Sequence, residues 1–147
     1  MPTNRAILLV EDSEDDIFLM KRALEEAGVK NPLLVVEDGQ EAVDYLEGTG
    51  KFEDRTSYPL PAVVFLDLKL PLKSGHDVLA WMRRQESFDT TVVVVLTSSE
   101  ETSDVNKAYR LGANSYLVKP PTAQDLVDMA KAFKWYWLDC NQFVENV

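Results

Sequence analysis

Several short apolar runs in this chain end on a polar side chain that could do chemistry. Glu11 and Asp12 follow ILLV, Asp67 follows AVVFL, Thr97 follows TVVVVL and Lys119 follows SYLV. If these runs are strands that end on one side of a sheet, three carboxylates, a hydroxyl and an ammonium meet there. Three carboxylates within a few ångströms repel and raise each other's pKa unless a cation lies among them. Mg2+ suits Glu11, Asp12 and Asp67 better than Zn2+, because it takes oxygen ligands, keeps several waters and favours sites completed by phosphate oxygens. A carboxylate oxygen held there can attack a phosphoryl group, since the transfer mostly requires in-line positioning and neutralised equatorial oxygens. Asp67 is then the nucleophile. The metal covers one phosphoryl oxygen, Lys119 a second, and the Thr97 hydroxyl with nearby backbone N–H groups a third.

The elements that must position these groups follow from patterning. Residues 6–10, 33–36, 62–66, 91–96 and 115–118 are apolar runs without in/out alternation, as expected of parallel strands covered on both faces. Helical segments separate them. Residues 14–27 carry Ile17, Met20, Leu24 and Ala27 at helical spacing and stop at Gly28, which suits a left-handed cap. Val105, Ala108, Tyr109 and Gly112 form a later stripe, and Thr122 with Asp125 resembles a capping box. Five β-α units predict an α/β doubly wound, three-layer fold with a five-stranded parallel sheet. Its ligand crevice lies outside the carboxyl ends of the strands, where their order reverses. Residues 47–61, EGTGKFEDRTSYPLP, read as a long loop.

The bulk numbers set limits. A chain of 147 residues with 46% apolar and 27% charged content fits one domain, residues 1–147. Its net charge of −10 repels phosphate backbones, which argues against nucleic acid and for protein partners. No apolar stretch suits a membrane helix, and the N-terminus is too short and acidic for a signal peptide, so a cytoplasmic protein is expected. The single cysteine, Cys140, agrees with a reducing compartment.

ILLVEDS, VVFLDLKLPLKSG, VVVLTSS and GANSYLVKP resemble receiver domains of two-component response regulators, over roughly residues 5–135. The resemblance implies a flavodoxin-like (βα)5 fold in which Asp67 accepts phosphate from a sensor histidine kinase or a histidine phosphotransfer protein. It also implies that Asp12 and Asp67 ligate Mg2+, that the Lys69 backbone carbonyl completes the site, and that Glu11 acts through a metal-bound water. Thr97 and Tyr116 become the switch pair, and the Lys119–Pro120 bond is expected to be cis. Glu11 in place of the usual first aspartate, and Pro121 in place of an apolar or aromatic residue, are departures. Within receivers, the loop before Ala62, the LDLKLPLKSG wording and the aromatic tail resemble the stand-alone type found among phytochrome response regulators. No output domain is expected, so the signal must leave by binding a downstream protein target or by passing the phosphoryl group to a histidine phosphotransfer module.

Other residues read more plainly. Glu14, Asp15 and Asp16 are expected only to favour the positive end of the first helix, and Asp12 could cap it. His76, the only histidine, is expected to be solvated. In the last helix Leu126, Met129, Ala130, Phe133 and Trp137 fall at core spacing, which leaves Trp135, Leu138 and Phe143 as a surface for a homodimer. Three other functions compete: an aspartyl-phosphate phosphatase, a flavin module and a degenerate receiver scaffold. The phosphatase would need an acid two residues after Asp67, where Lys69 stands. The flavin module would set its phosphate against the acids after the first strand. The complete set of five polar positions opposes the scaffold. The chain is therefore expected to be a signalling switch and not an enzyme.

Overall fold

The structure, a computed structural model, describes residues 1–145. Five parallel strands form one sheet: β1 (Ala6–Val10), β2 (Leu33–Val36), β3 (Pro61–Leu66), β4 (Val92–Thr97) and β5 (Ser115–Val118), in the order β2-β1-β3-β4-β5. Three strands fall where the apolar runs put them. β3 starts one residue earlier, and β4 is displaced by one, so Thr97 closes the strand instead of following it. The order reverses between β1 and β3, which places the crevice above their carboxyl ends.

Side-chain alternation along each buried strand feeds two cores. Leu8, Val10, Val64 and Leu66 point to one face, where they meet α2 (Gly39–Glu47) and α3 (Gly75–Arg84). Ile7, Leu9, Val63 and Phe65 point to the other, against α1 (Glu14–Glu26) and α5 (Ala123–Phe133). Both faces are dry, which explains why the strand sequences show no alternation of apolar with polar residues. The remaining helix, α4 (Thr102–Arg110), covers the β4-β5 end mainly through Ala108, while Tyr109 of the expected stripe is 48% exposed.

Local signals fix the helix ends. Ser13, not Asp12, caps α1 by accepting the Asp16 amide at 3.3 Å. Gly28 lies at φ +82°, as its place after α1 demanded. The Thr122 hydroxyl accepts the Asp125 amide at the start of α5. The expected loop over 47–61 is one residue shorter at each end, because Glu47 closes α2 and Pro61 opens β3. It contains a short 3₁₀ turn; Tyr58 packs edge-on against both Phe52 and Tyr45, and those two rings are tilted against each other.

After α5 the chain continues as a seven-residue π-helix, Lys134–Cys140. This changes the expected surface. Leu138 is 5% exposed and packs with Phe133 in the core, because a π turn brings residue i+5 onto the face of residue i. It therefore does not belong to an exposed association face. Trp135 at 64% and the unanticipated Tyr136 at 52% remain outside, whereas Phe143 is half-buried beneath the Arg5 guanidinium. No helix among the described residues is long and apolar enough to cross a membrane.

Candidate functional site

The end of β1 delivers Glu11 inward and Asp12 outward. Glu11 is buried, and its Oε2 accepts the amides of Asp12 at 3.0 Å and Ser13 at 3.2 Å. Asp12 is exposed. Across the switch point the Asp67 amide donates to the Val10 carbonyl at 3.1 Å, which carries the β1-β3 pairing one residue past the strands. Asp67 Oδ1 accepts the amides of Leu68 at 2.7 Å and Lys69 at 3.4 Å, so its carboxylate is aimed by its own following backbone. One carboxylate oxygen from each of Glu11, Asp12 and Asp67 can be found within 4.8 Å of the others. An all-oxygen, all-anionic donor set of this spacing fits a hard divalent cation.

Two glycines make room for this geometry. A Cβ on Gly75 would lie 2.1 Å from the Asp67 carbonyl oxygen, and one on Gly39 would lie 2.0 Å from the Lys73 carbonyl oxygen. The start of α3 is thus seated directly on the backbone of Asp67, and the start of α2 clamps the loop between them.

Lys119 reaches in from the end of β5. Its Nζ lies 2.5 Å from Glu11 Oε1, 2.8 Å from Asp16 Oδ2 and 3.1 Å from Asp67 Oδ2. Burial works against the Lys119 ammonium, but the bonds to Asp16 and Glu11 and the charge and bond of Asp67 outweigh it and hold its pKa above the ordinary lysine value. Burial likewise pushes the Glu11 carboxyl up, with the Asp67 charge adding to it and the Lys119 hydrogen bond opposing it. The Lys119–Pro120 bond, expected cis, is trans, as are all described peptide bonds. The long lysine stem and its ion pairs place the ammonium.

Thr97 is fully buried at the end of β4, and among the described residues its Oγ1 is the one buried side-chain polar atom without a hydrogen-bond partner. Leaving a buried hydroxyl unsatisfied costs about 1–3 kcal/mol. The expense is understandable if the hydroxyl awaits an oxygen supplied from outside. Tyr116 packs on Leu68, Val95 and Ala108, and its hydroxyl donates to the Ser99 carbonyl at 2.9 Å. Burial raises its pKa, although the Ser99 bond opposes the rise.

The structure brings in groups that the sequence reading left out. Asp16 was assigned only to the helix dipole, yet it pairs with Lys119. His76 is 9% exposed, not solvated, and its Nε2 donates to the Asp104 carbonyl of α4 at 3.3 Å. Ser99 is also buried and donates to Asp104 Oδ2 at 2.6 Å, which ties the loop after β4 to α4.

A doubly wound sheet carrying three carboxylates, a buried hydroxyl and a lysine at its switch point defines a class of phosphoryl-accepting domain. Residues 7–131 match the response regulator receiver domain family, and the chain belongs to it. It is 40% identical over 139 residues to the probable methanogenesis regulatory protein FilR2 of Methanothrix harundinacea, covering 92% of this chain and 85% of that one. To response regulator Rcp1 of Synechocystis it is 36% identical over 135 residues, covering 92% and 90%. The crystal structure of the phosphorylated cyanobacterial phytochrome response regulator RcpA has a TM-score of 0.89 at 32% identity, over 97% of this chain and 99% of that one. The Mn2+-bound form of Rcp1 gives 0.87 at 34% identity, over 96% and 99%.

Proposed function

We propose that Asp67 is the phosphoacceptor of a single-domain receiver spanning residues 1–147, and that phosphorylation alters its protein-binding surface. The observation that carries this reading is the Lys119 ammonium 3.1 Å from Asp67 Oδ2, beside the carboxylate cluster. An Asp67 oxygen attacks the phosphorus of a donor phosphohistidine, the P–N bond breaks, and the imidazole leaves. Lys119 and the Thr97 hydroxyl each take one equatorial oxygen. Asp12, Asp67 and the Lys69 carbonyl would hold Mg2+, with Glu11 acting through a bound water. When bound, Mg2+ neutralises charge on the transferring group. Thr97 then moves toward the phosphoryl group and Tyr116 shifts with it, a local charge event that biases a two-state surface.

The donor is a sensor histidine kinase or a histidine phosphotransfer protein. Relatives described as phytochrome response regulators support a kinase of that type. The signal passes to a downstream protein, in the cytoplasm, without substrate turnover. Exposed Trp135 and Tyr136 support a homodimer through the last two helices and β5.

The test is intact mass after acetyl phosphate with Mg2+. A gain of one phosphoryl group, lost in Asp67→Asn and with EDTA, is the expected result. No gain in the wild type, with Mg2+ bound and a cognate kinase present, would overturn the reading.

A further inference from the structure

An ammonium has three N–H donors, and three carboxylates surround that of Lys119: Glu11 at 2.5 Å, and Asp16 at 2.8 Å and Asp67 at 3.1 Å as hydrogen-bond acceptors. These partners are not equivalent. Glu11 and Asp67 belong to the carboxylate cluster suited to a cation, which Asp12 completes, and Asp16 lies outside it. Asp16 is held from below, since its amide donates to the Ser13 hydroxyl that caps α1. Its neighbours Glu14 and Asp15 share the same first turn, yet only Asp16 makes an ion pair among the described residues. Charge at a helix N-terminus explains all three acids but not this contact.

We propose that Asp16 is a positioning residue for phosphoryl transfer. It fixes the Lys119 nitrogen so that one N–H points to where a phosphoryl oxygen arises on Asp67, and it touches neither the phosphoryl group nor the cation. The inference rests on the phosphoacceptor role proposed for Asp67. A cation drawing on Glu11 and Asp67 weakens their hold on the ammonium, which leaves Asp16 as its undivided anchor. During transfer, one N–H moves from Asp67 Oδ2 to a phosphoryl oxygen while the Asp16 bond stays.

Phosphoryl uptake from acetyl phosphate with saturating Mg2+ should be followed by intact mass in the wild type, Asp16→Ala, Asp16→Asn, Lys119→Met and the Asp16→Ala/Lys119→Met double variant. Asp16→Ala should slow uptake roughly tenfold, the scale of one lost charge-assisted hydrogen bond. Asp16→Asn keeps an acceptor oxygen and should recover part of the rate. In the Lys119→Met background, Asp16→Ala should change the rate by no more than about twofold, because the partner is already gone. Calorimetric Mg2+ affinity should shift by no more than about threefold, the effect of one charge near but outside the ligand set. In cation-free protein, NMR signals of the Lys119 Nζ protons should be seen in the wild type and lost in Asp16→Ala.

Wild-type rate in Asp16→Ala, equal slowing in the Lys119→Met background, or a loss of Mg2+ affinity matching the loss of rate would each overturn the proposal. A wild type that takes no phosphoryl group even from a cognate kinase would overturn the phosphoacceptor reading, and this inference with it. A phosphorylated wild type isolates the role of Asp16.

Discussion

The Lys119 ammonium lies between the carboxylates that end β1 and β3, 2.5 Å from Glu11 Oε1 and 3.1 Å from Asp67 Oδ2. Both acids are almost wholly buried. Lys119→Met keeps the stem but leaves those charges without their partner, and breaking a buried pair from one side costs on the order of 3 kcal/mol. In urea titrations with EDTA the variant should lose about that much. Mg2+ should reduce the difference, since a cation binding only the folded form restores stability by mass action. An equal loss with and without Mg2+ would mean that the two cations do not share these acids.

Arg55 closes the carboxyl end of α2. Its Nη1 donates to the carbonyls of Tyr45 at 2.7 Å and Tyr58 at 3.1 Å, and its Nη2 to that of Leu46 at 2.8 Å. The last carbonyls of a helix lack intrahelical partners, and the planar guanidinium serves that of Leu46 and, together with the Gly48 amide, that of Tyr45, while pinning the following loop. Arg55→Ala should cost about 2 kcal/mol, and Arg55→Lys a substantial part of it, because one ammonium cannot copy the fork. Chemical denaturation midpoints with an unchanged m-value measure both.

Tyr45 is 1% exposed, and burial pushes its pKa up to about 12, against the pull of the Arg55 charge. The folded state therefore keeps the phenol proton to higher pH than the unfolded chain does. That contribution is complete below pH 10 and is lost as pH rises to about 12. Tyr45→Phe removes the hydrogen bond to the Pro59 carbonyl and should cost about 1 kcal/mol at neutral pH. Its deficit should shrink between pH 10 and about 12, where only the wild type still loses stability by this route. Lys119, raised above its ordinary 10.5, adds a separate alkaline loss that the variant retains. Parallel stability curves for the two proteins over this range would refute the assignment.

How much of this was legible in the sequence depended on whether the cause was local. The parallel strands were visible because burial on both faces leaves uninterrupted runs such as PAVVFL and VVVVLT. Gly28 and Thr122 were legible because caps are chosen by neighbouring residues. Leu138 was misplaced because α-helical periodicity was carried into a segment whose turn is wider. Asp16 and His76 were misread for another reason: their partners, Lys119 and Asp104, lie 103 and 28 residues away. A contact across that separation leaves no periodic trace in either segment. The five polar positions at the strand ends escaped this difficulty because the topology itself brings strand ends together.

Thr97 separates stability from function most sharply. Its hydroxyl is fully buried without a partner, a state that weakens the resting protein by roughly 1–3 kcal/mol relative to a satisfied site. Thr97→Val replaces that hydroxyl with a methyl group of similar shape in an apolar strand. The resting protein should be at least as stable as the wild type, and up to about 1 kcal/mol more so. The same change removes a donor for the phosphoryl group, so uptake from acetyl phosphate should slow by about 10- to 100-fold. Thr97→Ser keeps the hydroxyl and loses a methyl, so it should reverse the pattern: uptake near the wild-type rate, stability lower by about 1 kcal/mol. Opposite movement of stability and transfer in the two variants is what a hydroxyl reserved for an incoming oxygen requires. If Thr97→Val instead lost stability and kept its transfer rate, the hydroxyl would be part of the resting core and the third oxygen of the phosphoryl group would need another donor.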